Sequence, residues 1–223
     1  MTNYITCLAH FCEVHGPLIV ACSQRFLPAE HQRYLLNATA SLKLRQQTCA
    51  LCQLVLPDDA ANVTLALDHD VVVLAQYPAL QKRFLALLKL ALKALSCEAL
   101  SDITKPVYYG DPLLGYCMFK LFKVKDICAR GGERKYALMV VANYEPDVLM
   151  HWNVISLYFS EIVELIQHKI KEDEETKPKN VIDHERYLRR QNNRPKSMVE
   201  ITNDPKIFVR FHLWAVEMFK DIT

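Results

Sequence analysis

Tyr108–Tyr136, YYGDPLLGYCMFKLFKVKDICARGGERKY, decides the fold, because three β-rich runs meet in it and it holds four of the chain's five glycines. Val107, Tyr108 and Tyr109 lead into Gly110-Asp111-Pro112, where proline fixes φ and glycine permits φ > 0, so a strand turns there. From Gly115 to Lys125 the run is rich in β-formers, and its lysines predict a strand with one side in water. Tyr136–Val141 is apolar at every position and reads as a central strand. Between them hangs Asp126–Arg134, DICARGGER, a loop that holds Arg130 beside two glycines and reads as a mobile support for one arginine.

The pattern extends outward in both directions. Tyr4–Cys12 and Leu18–Ser23 are β-rich runs around Glu13-Val14-His15-Gly16-Pro17, which predicts an opening hairpin. Pro28–Gln47 is compatible with a helix but shows only a partial apolar stripe. Val71–Leu74 reads as a buried strand, and the alternation Val63, Leu65, Leu67 marks another, with Asp68-His69-Asp70 as the turn. Ala79–Cys97 is the clearest helix: Lys82, Lys89, Lys93 and Ser96 share one narrow polar stripe, and the remainder is apolar enough to need cover on two sides. A second long helix runs from about Leu149 to Lys171, with Ile162 and Ile166 among its inward positions. Ile207–Phe219, IFVRFHLWAVEMF, reads as a terminal helix that docks back, since Phe208, Phe211, Leu213, Trp214 and Phe219 left wet would form an exposed patch. The element order gives an α+β domain, an antiparallel sheet with helices packed on it. Its expected extent is residues 1–172, followed by a polar charged linker at 173–204 and the C-terminal amphipathic helix at 205–223.

Composition narrows the function classes. The chain has 223 residues, a formal charge of +2 and 51% hydrophobic residues, enough for one sizeable core and too mildly basic to demand a nucleic acid. No spanning segment and no signal peptide are visible, so a soluble intracellular protein is expected. GxxxxGK[ST] and GxGxxG are both absent, so the chain should bind no nucleotide of its own. Eight cysteines in mostly apolar runs read as buried free thiols. Cys49-Ala50-Leu51-Cys52 is a CxxC without a second CxxC, so no metal and no cofactor are expected, and Cys12 with His15 is set aside as a nucleophile pair for want of an orienting third residue. The basic residues Arg186, Arg189, Arg190, Arg194 and Lys196 read as a solvated face.

Four motifs in order, Phe11-Cys12-Glu13-Val14-His15-Gly16-Pro17, Ser96-Cys97-Glu98, Tyr109-Gly110-Asp111 and Lys125-Asp126-Ile127-Cys128-Ala129-Arg130-Gly131, resemble the folliculin family. A weaker similarity continues through Leu213-Trp214-Ala215. The chain looks like the short fungal folliculin orthologue, which has a longin domain and no DENN domain. The resemblance implies the longin (profilin-like) fold: a five-stranded antiparallel sheet with one helix on one face and two on the other. It implies no cofactor and no enzyme activity of the chain alone. The implied role is a GTPase activator acting on a Rag-type (in fungi, Gtr-type) small GTPase at the lysosomal or vacuolar membrane, in a heterodimer with a folliculin-interacting protein. The implied process is amino-acid signalling to the target-of-rapamycin kinase. The family's catalytic arginine is the Arg of KDxxARG, here Arg130, which implies an arginine finger supplied in trans. Asp126 is expected to hold the loop's base, and Asp126, Gly131, Gly132, Arg134 and Lys135 are candidates for contacting the GTPase, the last two either orienting against it or facing water. A non-catalytic longin adaptor in membrane or permease trafficking is the alternative.

Overall fold

The structure, a computed structural model, describes residues 4–26, 49–57, 64–67, 70–78, 81–96, 102, 104–126, 129, 131–176 and 196–222. The expected helix at Pro28–Gln47, the basic residues from Arg186 to Arg194, and Cys97, Cys128 and Arg130 lie outside these residues.

Strands β1 (Ile5–Cys12) and β2 (Gly16–Phe26) form the opening hairpin, closing on the pair Cys12 and Gly16. Leu8 pairs with Ala21 and Ala9 with Ile19, leaving Val20 as an extra residue, a β-bulge. Val20 and Ala21 consequently face the same side of the sheet while Ile19 and Cys22 face the other. A single 3-10 turn at Ala50–Cys52 follows, then β3 (Thr64–Leu67) and β4 (Asp70–Ala75), helix α1 (Gln81–Leu95), and β5 (Val107–Asp111), β6 (Gly115–Lys125) and β7 (Glu133–Ala142). The helices α2 (Glu145–Met150), α3 (Trp152–Thr176), α4 (Met198–Thr202) and α5 (Ile207–Asp221) complete the order. All seven strands join one antiparallel sheet in the order β3-β4-β2-β1-β7-β6-β5.

The resemblance implies five strands; among the described residues the sheet has seven. Among the described residues, one long helix lies on one face and two on the other. One face, Ile5, Cys7, Ala9, Phe119, Leu121, Met139 and Val141, packs on α1 through Leu87, Leu90, Ala91 and Ala94. The other, Leu8, Met118, Phe122, Leu138 and Val140, carries α3 and α5. Their seam is aromatic: Phe159 stacks on Trp214, Tyr4 stacks on Phe219, and Trp214 Nε1 donates to Tyr158 O at 2.7 Å. Each large side chain removed from water there contributes roughly 1.5–3 kcal/mol.

Four local expectations change. β6 is buried on both faces rather than one, because helices cover both sides; Lys120 reaches α3, where its Nζ donates to Ser160 Oγ at 3.0 Å, and only Lys123 and Lys125 at the far end are exposed. The turn between β5 and β6 uses positive φ at Gly115 (107°), not at Gly110, and Asp111 Oδ1 accepts the Leu113 and Leu114 N–H groups. A Cβ on Gly115 would stand 3.1 Å from Ala142 O, so the position needs glycine twice over. On α1 the lysine stripe is not the whole exposed face: Leu85 and Leu92 are about half exposed beside it. On α5, Phe208, Phe211, Trp214 and Phe219 are buried as expected, while Leu213 is 48% exposed.

The second long helix begins at Trp152, after α2, and extends to Thr176. Within 173–204, α4 has Met198 and Ile201 buried and opens on a capping box in which Ser197 and Glu200 satisfy each other's backbone N–H groups. No helix among the described residues is long and apolar enough to cross a membrane.

Candidate functional site

Lys125 and Glu133 are the last pair of the β6–β7 ladder, so the chain reverses between Asp126 and Gly132. Three backbone bonds close the reversal: Asp126 N–H donates to Gly132 O (3.0 Å), Ala129 N–H to Asp126 O (2.8 Å) and Gly132 N–H to Ala129 O (2.9 Å). Gly131 and Gly132 have φ of 85° and 76°. Consecutive left-handed residues bring the chain back over Asp126, a path that costs a residue with a Cβ about 1–2 kcal/mol per position. The glycines thus act as turn geometry rather than as looseness. A Cβ at either would meet nothing within 4 Å, so the requirement is of the backbone alone.

Inside the reversal, Arg134 Nε donates to Asp126 Oδ2 at 2.5 Å, with the two side chains 4% and 3% exposed. Arg134, expected against a partner or in water, is buried. A carboxylate taken out of water needs a charged partner, and the guanidinium eight residues on supplies one. Asp126 does hold the base of the loop, as its position suggested. Lys135 Nζ donates to Leu95 O at 2.8 Å, tying β7 to the end of α1, where a cation suits the helix dipole. Of the residues expected to contact a GTPase, Gly131 is exposed, Gly132 half-buried, and Asp126, Arg134 and Lys135 are engaged within the chain. Arg130 itself falls between buried Ala129 and exposed Gly131 and lies outside the described residues.

The neighbouring reversal, between β1 and β2, lies at the same end of the sheet, since His10 pairs with Tyr136. Here the structure assembles a group of side chains that the sequence reading left apart. Cys49 and Cys52, set aside for lack of a second ligand pair, face Cys12 and His15, and the ligand atoms of all four lie within 4.8 Å of one another. The missing pair is a Cys-x-x-His on the hairpin, not a second CxxC. Burial pushes the Cys52 thiol well up, with Cys12 and Cys49 adding to the effect. Burial acts the same way on Cys12, but the backbone N–H groups of His15 and Val14 together with the Cys52 and Cys49 side chains outweigh it and hold that thiol below its ordinary value. His10 is buried and stacked on Tyr136, with Nε2 3.4 Å from Cys52 Sγ; burial first, then the Arg134 charge, lowers it to about 4, so it is neutral.

The folliculin family model, described as a vesicle coat protein involved in Golgi to plasma membrane transport, matches residues 71–222, which include β6, β7 and the reversal between them. Protein LST7 of Saccharomyces cerevisiae is 26% identical over 232 residues, covering 96% of this chain and 94% of that protein. Folliculin-like protein bhd1 of Schizosaccharomyces pombe is 28% identical over 138 residues, covering 55% of this chain and 38% of that protein. Folliculin of Bos taurus is 20% identical over 258 residues, 94% of this chain and 44% of that protein. The chain therefore spans nearly all of one relative and less than half of the other two.

Proposed function

The chain belongs to the folliculin family, and from that premise we propose that it is a GTPase-activating subunit, paired with a folliculin-interacting protein, that supplies Arg130 in trans to a Rag- or Gtr-type small GTPase. The observation that carries the reading is a reversal closed at its base by three backbone bonds and a buried ion pair, with the KDxxARG arginine in its second half. Hydrolysis of the terminal phosphate spreads negative charge over its oxygens, and an arginine inserted from a partner stabilises that charge, accelerating the reaction by roughly 10³ to 10⁵. Guanidinium suits the task because it stays charged and offers a planar fork to two oxygens. A fixed base matters because a finger misplaced by about 1 Å loses much of its effect. The sheet with one helix on one face and two long helices on the other fits a longin-type domain widened by two strands. Recruitment to a vacuolar or lysosomal membrane would run through partners, and the process served would be amino-acid signalling to the target-of-rapamycin kinase.

Single-turnover GTP hydrolysis by a Rag-type heterodimer, with this chain and its interacting partner added, tests the reading. Arg130→Ala is expected to slow hydrolysis at least about 10²-fold while binding persists. Unchanged hydrolysis sinks the finger. It would favour the second reading, a non-catalytic adaptor in vesicle or permease traffic, which agrees with the transport role in the family model's description.

A further inference from the structure

We propose that Cys12, His15, Cys49 and Cys52 form a structural zinc site that clips the segment around the 3-10 turn to the tip of the β1–β2 hairpin. The separations carry the argument. Cys12 and Cys49 Sγ are 3.7 Å apart, Cys49 and Cys52 Sγ 3.5 Å, and His15 Nδ1 stands 3.5 Å from Cys12 Sγ and 3.6 Å from Cys52 Sγ. With zinc–sulfur bonds of about 2.3 Å and zinc–nitrogen bonds of about 2.0–2.1 Å, a tetrahedron has sulfur–sulfur edges of about 3.8 Å and sulfur–nitrogen edges of about 3.6 Å. Four of the six separations already stand close to those edges, and the other two are within 4.8 Å. The same distances exclude a disulfide, whose sulfurs are about 2.05 Å apart.

Each ligand pair is preset by its own backbone. The 3-10 turn eclipses residues three apart, which puts Cys49 and Cys52 on one side, with Cys52 N–H donating to Cys49 O at 2.9 Å. The hairpin tip does the same for Cys12 and His15, whose Sγ and Nδ1 stand 3.5 Å apart. Around the ligands, His10 Nε2 approaches Cys52 Sγ, and Gln76 Nε2 donates to Cys52 O, so the second coordination sphere is furnished as well. Three sulfurs and one imidazole select zinc over harder cations, and four protein ligands leave no open position for a reacting water, so the site is structural rather than catalytic. The exposed His15 side leaves a way in. On binding, three thiols give up their protons to solvent as their sulfurs bond to the ion, which relieves the mutual repulsion of thiolates crowded into one buried place.

The clip has a structural task. Among the described residues, 49–57 contain no strand or helix beyond the 3-10 turn, yet Leu51 and Cys52 are buried in the core. A metal bridge holds that segment against the sheet end from which the Asp126–Gly132 reversal springs.

The test uses the full chain, expressed with added zinc and purified without chelator. Elemental analysis is expected to find about one zinc per chain, and cobalt(II) exchanged into the wild type to give visible bands of tetrahedral intensity with a thiolate charge-transfer band. Cys49→Ser should lose the zinc. His15→Ala, a change at an exposed turn that leaves the core intact, should weaken binding at least about tenfold in competition with a chelating dye. Cys22→Ala, a buried thiol outside the group, should retain it. Less than about a tenth of an equivalent of zinc, together with a cobalt spectrum of the hydrated ion, overturns the proposal. So does undiminished zinc affinity in His15→Ala and Cys49→Ser.

Discussion

Two chain reversals sit side by side at one end of the sheet, and they are held in opposite ways. The β1–β2 tip turns its chemistry inward: Cys12 and His15 face Cys49 and Cys52 and each other. The β6–β7 reversal puts its fixing charge pair at the base, Asp126 with Arg134, and leaves Gly131 exposed farther along. One arrangement gathers side chains onto a common point and is suited to holding. The other joins the two ends of a turn through one buried charge pair and leaves Gly131 exposed. Neighbouring loops on one sheet can thus be fixed by different chemistry while the strands beneath them pair directly, as β1 and β7 do here.

The contrast breaks most visibly at the stem. Asp126→Ala leaves the Arg134 guanidinium buried without its carboxylate and should cost about 3–5 kcal/mol in urea unfolding. Replacing both, Asp126→Leu with Arg134→Met, should recover most of that, because the loss comes from an unmatched charge. A double variant no more stable than the single one would mean the pair does more than cancel its own burial.

Acid sharpens the contrast only after a third group is subtracted. His212 is buried with Nδ1 2.9 Å from Ser23 Oγ, and burial lowers it from 6.5 to about 4. The unfolded chain takes up this proton near its ordinary value and the folded chain only near the lowered one. Stability due to this group is therefore complete above the ordinary value and falls as pH drops toward the lowered one. Between pH 7 and pH 5 the loss from this group should be about 2 kcal/mol; because His10 is lowered to about 4 as well, His212→Gln should remove about half of the slope in that window. A slope unchanged in His212→Gln would assign the acid sensitivity to other groups.

Glycine substitutions compare the two tips directly. Gly16 (φ 76°) and Gly131 (φ 85°) have open space around a prospective Cβ, so alanine at either should cost only the backbone term, about 1–2 kcal/mol. Gly115→Ala, which adds the clash with Ala142 O, should exceed both. The smallest expected effect on folding is that of Arg130→Ala. If its work is done on a partner, unfolding should shift by less than about 0.5 kcal/mol. A loss of several kcal/mol would make it part of this chain's own structure.

Most of the fold was legible from residue periodicity. Val71–Leu74, Tyr136–Val141 and the Ala79–Cys97 helix were legible because burial on one or both faces writes itself into consecutive apolar residues. β6 misled because lysine marks water only when nothing long-range reaches it, and Lys120 meets Ser160 from a helix forty residues on. The Asp126–Arg134 pair was half legible: the aspartate's role as base could be read, but its partner looked like one more surface arginine. The cysteine–histidine group was not legible, since its halves are separated by 37 residues and neither half is a signature alone. The KDxxARG motif was legible only by resemblance, because one arginine in one loop has no periodicity to read.

The bulge at Val20 has an effect on which sequence changes this sheet can absorb. Shorten β2 by one residue at 20 or 21 and the two strands simply close into an uninterrupted ladder, every remaining side chain keeping its side. Shorten β7 by one and there is no spare residue to give up, since its pairing with β1 and β6 runs without a break; half the strand must then turn inside out. The hairpin thus carries a margin for insertion and deletion in the middle of the core, where an alignment gap would ordinarily be rejected.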